Sequence, residues 1–238
     1  MRTLIIKYGP LIFGGASVIL LANGCGSGLL QQKLTEGVIE YALSFPDYDP
    51  NGLMAGMLPE RTTLTFSENQ QVAELSAGMG VFHTSMAANN DSKQMDYHLS
   101  VLSKKLVSHL AEKDMALFNK EEAAMAIIWT NETDTIAGFP CKKAIAVYDD
   151  VDQPEIELWY TDRIEMKDPN WFGPFKQIPG VLLRYSVVQY GMRMHLDATS
   201  ITPGAVDMTK FDVKTDHESV PPAVLQHELT EVLGTFSI

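Results

Sequence analysis

The stretch Thr35-Glu36-Gly37-Val38-Ile39-Glu40-Tyr41-Ala42-Leu43-Ser44-Phe45 sorts its side chains into two sets. Gly37, Ile39, Tyr41, Leu43 and Phe45 form one set, mostly apolar; Val38, Glu40, Ala42 and Ser44 form the other. A period of two is that of a strand with one face on a core. Pro46 ends it, because proline brings no N–H to a ladder. Short strands follow over residues 61–67, 71–76, 79–87, 94–102, 105–110, 113–118, 134–136, 142–148 and 156–160. Polar turns such as Glu68-Asn69 and Asn89-Asn90-Asp91-Ser92 separate them, and residues 149–154 join the last two as a hairpin. Residues 181–194 read as one long β-rich segment bent near Gly191, with weaker strands over 195–201 and 210–215. Two helices interrupt the pattern. One covers 121–129, with Asn119 as its N-cap. The other covers 223–233, where Val224, Leu225, Leu229, Val232 and Leu233 recur at helical spacing between Pro222 and Gly234. Strands this short and this evenly spaced, with no fixed repeat, predict a mainly β domain. Its architecture is a curved antiparallel sheet, an open or half barrel, with one or two short covering helices.

The chain has 238 residues, 18 Lys+Arg against 30 Asp+Glu, and a formal net charge of −12. That balance argues against nucleic acid, whose binding rests on basic side chains neutralising phosphates. The 2 cysteines are too few for a disulfide scaffold or a zinc ribbon.

Charge is not evenly spread. Arg2 and Lys7 are the only charges before Lys33, and the run between Lys7 and Cys25 is uncharged and densest in apolar residues over 11–22. A basic start, an apolar stretch of about 12 residues and small residues at its end read as a secretory signal peptide over residues 1–24. The sequence Leu20-Leu21-Ala22-Asn23-Gly24-Cys25 resembles a bacterial lipobox, with Cys25 as the lipid-bearing first residue of the mature chain. Asn23 departs from that pattern. Ordinary cleavage after Gly24 and an uncleaved anchor are the alternatives. Residues 25–34 become a lipid-anchored tether, and residues 35–238 a single β-rich domain. Removal of residues 1–24 takes away Arg2 and Lys7 and no acid, moving the net charge from −12 to −14.

Chemistry is sparse. No G-x-S-x-G elbow and no H-E-x-x-H motif occurs, and His217-Glu218 and His227-Glu228 are isolated pairs. The acidic run Asp149-Asp150-Val151-Asp152 lacks a calcium-loop pattern. The 12 methionines are the unusual feature. Thioether sulfur suits Cu(I), and Met192, Met194, His83 and His195 are the residues a soft-metal site would use. Methionine also lines adaptable apolar surfaces, which makes Met79, Met86, Met192 and Met194 candidate lining for a ligand groove.

Three further pieces belong together: Thr133-Asp134-Thr135-Ile136-Ala137-Gly138-Phe139-Pro140-Cys141-Lys142-Lys143-Ala144, then Leu158-Trp159-Tyr160-Thr161, then Gly173-Pro174 followed by Ile178-Pro179-Gly180-Val181-Leu182-Leu183. Their order and spacing resemble the GLPGLI-type family of exported bacterial proteins of unknown function. The residues carrying the resemblance are Gly138, Cys141, Lys142, Lys143, Trp159, Tyr160, Pro174, Pro179 and Gly180. The eponymous hexapeptide is replaced here, keeping Pro179 and Gly180. Related families have a fold like the LolA/LolB lipoprotein carriers, which implies a curved sheet with an apolar groove for an acyl chain. The residues themselves read as structural. Gly138 marks a turn with positive φ, and Pro179-Gly180 a type II turn or sheet corner. Trp159 and Tyr160 point to opposite faces.

The expectation is a non-enzymatic, lipid-anchored protein of the cell envelope, facing the periplasm from the outer membrane. It needs no cofactor. Its partners are the membrane, through the lipid, and an apolar ligand; no protein partner is named. A scaffold without a cavity and a copper-binding protein are the alternatives.

Overall fold

The computed structural model describes residues 33–49, 51–52, 55–119, 124–149 and 154–234. The leader, Cys25 and most of the tether lie outside them, as do Leu53, Met54 and the acidic run 150–153.

The strands are β1 (Glu36–Ser44), β2 (Arg61–Ser67), β3 (Gln70–Ala77), β4 (Phe82–Asn89), β5 (Gln94–Val101), β6 (Lys104–Ala111), β7 (Met125–Ile136), β8 (Phe139–Tyr148), β9 (Ile156–Thr161), β10 (Val181–Gln189), β11 (Met192–Pro203) and β12 (Glu218–Ser219). They form one 12-stranded sheet in the order β12-β6-β5-β4-β3-β2-β1-β11-β10-β9-β8-β7. All neighbours are antiparallel except β12, which lies parallel to β6. The chain therefore meanders outward from β1 to β6, crosses to the opposite edge, and meanders back from β7 to β11 beside β1.

That crossing dictates curvature. On a flat sheet β6 and β7 would stand about 48 Å apart, ten spacings of ~4.8 Å. The link 112–124 contains a 3-10 turn (Glu112–Asp114) and helix α1 (Met115–Phe118), so it spans at most about 36 Å. The sheet has to curl. Register shifts between Glu40 and Tyr41, between Leu182 and Arg184, and between Trp129 and Thr133 add local twist. The result is a strongly curved, mostly antiparallel sheet that does not close into a barrel, as expected from the strand spacing.

The concave face collects the apolar sets. In β1, Gly37, Ile39 and Tyr41 are buried while Glu40 and Ala42 are exposed, the two-residue period read above. Three apolar clusters result. One joins Phe82, Tyr97, Leu99 and Leu110 to helix α2 (Pro222–Gly234), whose Leu225 and Leu229, one turn apart, are fully buried. A second gathers Ile39, Phe66, Leu183 and Leu196 under Ile164 and Met166. The third sets Leu158 and Tyr160 against Phe175 and Ile178.

Several local expectations fail for identifiable reasons. The helix expected over 121–129 is overruled from Met125 onward, where Ile127, Ile128 and Trp129 pair with β8 as β-branched and aromatic residues favour; residues 120–123 lie outside the described set. The strand expected over 113–118 is the 3-10 turn and α1. The Asp114 carboxylate accepts the Ala111 N–H at 2.9 Å, and α1 buries Met115. The strand expected over 210–215 gives way to a 3-10 turn, Met208–Phe211, capped by Asp207. Residues 181–194 are not one bent segment but a hairpin, β10 and β11, reversed by Tyr190 (φ 52°) and Gly191 (φ 73°). The paired positive φ is that of a two-residue hairpin turn. Ala137 (φ 47°) and Gly138 (φ 83°) make the same turn between β7 and β8, as read for Gly138.

Gly180 is not the positive-φ residue of a type II turn. It is a point of close approach: a Cβ there would sit 2.3 Å from the Thr161 carbonyl oxygen and 3.0 Å from the Tyr160 ring. Backbone atoms cannot yield that distance. Gly180→Ala is therefore expected to destabilise the fold by about 2 kcal/mol or more, read as a lowered urea midpoint with unchanged m-value.

Candidate functional site

The concave face encloses a cavity of about 280 Å³. Inward side chains of β1, β2, β3, β4, β10 and β11 form its wall, among them Tyr41, Leu64, Met86, Tyr185, Met192 and Met194. Period-two alternation places them there: in β11, Met192, Met194 and Leu196 share the inner face, and Arg193 and His195 face outward.

Residues 162–180, between β9 and β10, cross the sheet and return, and they cover one end of the cavity. Polar contacts at the β2–β3 and β4–β5 turns tie this strap down. Lys167 N–H donates to Asn69 Oδ1 at 2.9 Å, and Lys93 Nζ meets Asp168 Oδ2 at 2.6 Å. Deeper in, the Gln71 amide donates to Asn90 Oδ1 (3.0 Å) and to the Pro169 carbonyl (2.7 Å), and the Trp171 indole N–H donates to the same Asn90 oxygen at 3.0 Å. Asn90 is fully buried, and its Nδ2 has no partner among the described residues. A buried amide shared by three segments costs too much to leave unmade, so it fixes where Trp171, Phe172 and Phe175 stand over the cavity. Asn119, at the end of α1, donates to the Phe172 carbonyl at 3.0 Å and ties α1 to the strap.

No Asp, Glu, Lys, Arg or His lines this cavity among the described residues. A bound ion would be without a counter-charge in a low-dielectric site, which is costly. The site favours apolar, uncharged matter.

The methionines divide. Met86, Met192 and Met194 line the cavity. Met79 does not: it is 98% exposed, at φ 54°, in the 3-10 turn between β3 and β4. The turn geometry aims it at solvent, where the strand reading had it facing inward. The copper reading fails on the same geometry. His83 alternates with the cavity residues Phe82 and Thr84, and His195 with Met194, so both histidines face away from Met86, Met192 and Met194. His195 Nδ1 is instead 3.1 Å from Ser186 Oγ, and His83 sits between Ser76 and Lys214. Among the described residues no three His, Cys, Asp or Glu side chains group around one ion position.

The motif residues flank the cavity on the β7–β9 side. Cys141 is buried. Its thiol is pushed up to about 11 by burial and donates to the Phe139 carbonyl, the state of a structural cysteine and not a reactive one. Lys142 pairs with Asp162 at 2.8 Å. Lys143 is held between Glu157 (2.7 Å) and Glu132 (3.2 Å), with its ammonium 5.6 Å from the centre of the Trp159 ring. Trp159 and Tyr160 enter two different apolar clusters and both are buried. Pro174 borders the cavity, Pro179 is exposed, and Gly180 abuts Thr161.

The convex face carries a polar system that no sequence motif announced. Segment 204–220 lies over β4, β5 and β6. Ser100 Oγ is 3.0 Å from His217 Nε2, and His217 Nδ1 is 2.8 Å from Asp216 Oδ1. Lys105 bonds the other Asp216 oxygen at 2.6 Å, and these two partners hold its carboxyl down to about 2. His98, 1% exposed, accepts the Lys214 backbone N–H on Nε2 at 3.1 Å. The Ser–His–Asp order looks like a nucleophilic relay, but β5 is paired on both sides and the apolar cavity lies on the other face. What this relay does is fasten segment 204–220 to the sheet.

No family model and no curated protein matches the chain. Solved structures give distant likenesses. MucB in complex with MucA(peri) aligns at 9% identity and a TM-score of 0.34, over 78% of this chain and 56% of that one. The Pseudomonas aeruginosa MucA/MucB complex gives 10% identity and 0.35, over 78% and 58%. A β-barrel-like protein of a domain of unknown function from Brucella abortus gives 8% and 0.25, over 73% and 100%. The chain thus spans little more than half of the MucB chains, and likenesses this loose assign no activity.

His98 yields a pH prediction. Burial, with Lys214 and His217 nearby, lowers it from 6.5 to about 4. Between those values the unfolded chain takes up a proton that the folded chain refuses. Stability is therefore full above pH 6.5 and falls as pH drops toward about 4, by up to ~1.4 kcal/mol per pH unit. Chemical denaturation across this window should show the fall, and His98→Gln should flatten it.

Proposed function

We propose that this is an exported envelope protein, tethered to a membrane by lipid on Cys25, whose curved sheet holds an apolar ligand such as an acyl chain. The observation that carries the reading is the cavity: a concavity of about 280 Å³ walled mostly by aromatic, aliphatic and methionine side chains and, among the described residues, by no charged group. Apolar pockets with a few convergent polar groups are the usual form of small-ligand sites. The leader over residues 1–24 supports export, and the Cys25 context supports lipidation. Several acyl chains on one cysteine anchor a protein without any basic patch. On this reading the protein faces the periplasm from the outer membrane, belongs with the GLPGLI-type proteins that its motif residues resemble, and catalyses no reaction. Among the described residues no helix is long and apolar enough to cross a membrane.

One observation favours a role in protein contacts as well. β7 is an edge strand of the sheet, and its Ile128 and Trp129 are 50% and 52% exposed. Charged Glu132 and Asp134 and the register shift blunt only the second half of that edge.

Two experiments test the proposal. Lipid extracted from purified protein and identified by mass spectrometry should be retained by the wild-type chain and lost in Met192→Glu, which puts a carboxylate into the cavity; circular dichroism checks that the variant folds. A wild-type protein that carries and takes up no apolar molecule sinks the ligand claim. Cys25→Ala should move the protein from the membrane to the soluble fraction, and unchanged partitioning sinks the anchor claim.

A further inference from the structure

We infer that the cavity takes a single-chain neutral lipid whose one uncharged oxygen is held by the Tyr185 hydroxyl. The inference rests on the reading of the cavity as an apolar-ligand site and names the class of ligand.

Shape comes first. The concavity of about 280 Å³ is lined along its length by apolar side chains of β1 to β4, β10 and β11, which suits an extended hydrocarbon chain. Charge comes second. With no ionisable Asp, Glu, Lys, Arg or His in the lining among the described residues, a fatty-acid carboxylate or a phosphate would enter without a counter-ion and leave its hydration behind.

The third observation is a polar group left over. Among the described residues four tyrosines line this wall, Tyr41, Tyr97, Tyr185 and Tyr190. The Tyr41 hydroxyl donates to the Leu182 carbonyl at 2.8 Å, and the Tyr97 hydroxyl is hydrogen-bonded to Tyr190. Tyr185 differs. It sits on β10 opposite Leu196, where the second and third apolar clusters meet, with its ring edge-on to Phe175 at 6.2 Å. Among the described residues nothing hydrogen-bonds its hydroxyl. Burial alone pushes that hydroxyl up to about 12, so it stays protonated and able to donate. Tyr185 is half-buried at the cavity wall, and a hydroxyl there with no protein partner is satisfied by whatever fills the cavity. An ester carbonyl or an alcohol oxygen does this without bringing a charge. A plain hydrocarbon does not, and a carboxylate does so only with the charge the wall excludes.

Displacement of an apolar fluorophore from the purified full-length chain tests this with three probes of equal chain length: methyl decanoate, decanoate at about pH 8, where the carboxylate is ionised, and decane. Methyl decanoate should displace the fluorophore at least tenfold better than decanoate. Tyr185→Phe should weaken methyl decanoate by about three- to tenfold, the worth of one hydrogen bond, and leave decane unchanged. Decanoate binding as well as its ester overturns the inference, as does an unchanged ester affinity in Tyr185→Phe; in both cases the cavity remains an apolar-ligand site. Failure of the fluorophore and all three probes to bind the wild type overturns the proposed function itself.

Discussion

The link from β6 to β7 is the constraint on which the rest of the molecule depends. Once the first meander has run outward to β6, the chain has to start its second meander at the far edge, with a connection shorter than the width of a flat sheet. Curling the sheet is the only way to satisfy the link while keeping every strand paired. The curl creates an inner face, and the period-two pattern of each strand fills that face with apolar side chains. The cavity is thus a consequence of topology before it is a matter of particular residues.

Curvature alone would leave an open trough. The strap of residues 162–180 covers one end of the trough, and it is held by polar contacts as well as apolar ones. Gln71, Asn90 and Trp171 exchange hydrogen bonds where water has little access, and ion pairs at Lys93 and Lys167 reinforce them at the rim. Exposed pairs of this kind contribute little each. The buried amides matter more, because breaking one leaves its partner unsatisfied. The convex face repeats the logic: histidines and Ser100 fasten segment 204–220. Both straps are therefore specified by directional bonds, and the cavity wall by shape and apolar area.

Methionine fits the same account. Met86, Met192 and Met194 line the cavity, and the thioether side chain, which adapts its shape without a fixed branch, suits the flexible guest proposed for it. The cavity's neutrality contrasts with the acidic exterior. In a chain of net charge −12 the acids of the described residues stay off the cavity lining, where they could not be solvated.

Most of the sheet was legible in the sequence, because strands buried on one face announce themselves by alternation. β1 to β6, β8, β9 and the final helix follow from local pattern, and Gly138 from turn chemistry. Misreadings cluster where the pattern is short or shared. Residues 113–118 alternate weakly but coil into α1, and residues 125–129 look helical in isolation yet pair with β8. Met79 opens the strand expected over 79–87, but a 3-10 turn points it outward. Tyr185 lay inside a recognised strand, but nothing local distinguishes its hydroxyl from those of Tyr41 and Tyr97, whose partners are distant in sequence. By itself, then, the sequence determined the mainly β class, the alternation that gives most strands an inner face, and the closing helix, since these depend on neighbours along the chain. Only the tertiary structure decided which methionines meet, which histidines turn away, where the straps lie and which tyrosine is left unpaired among the described residues, since each depends on groups brought together by the curl of the sheet.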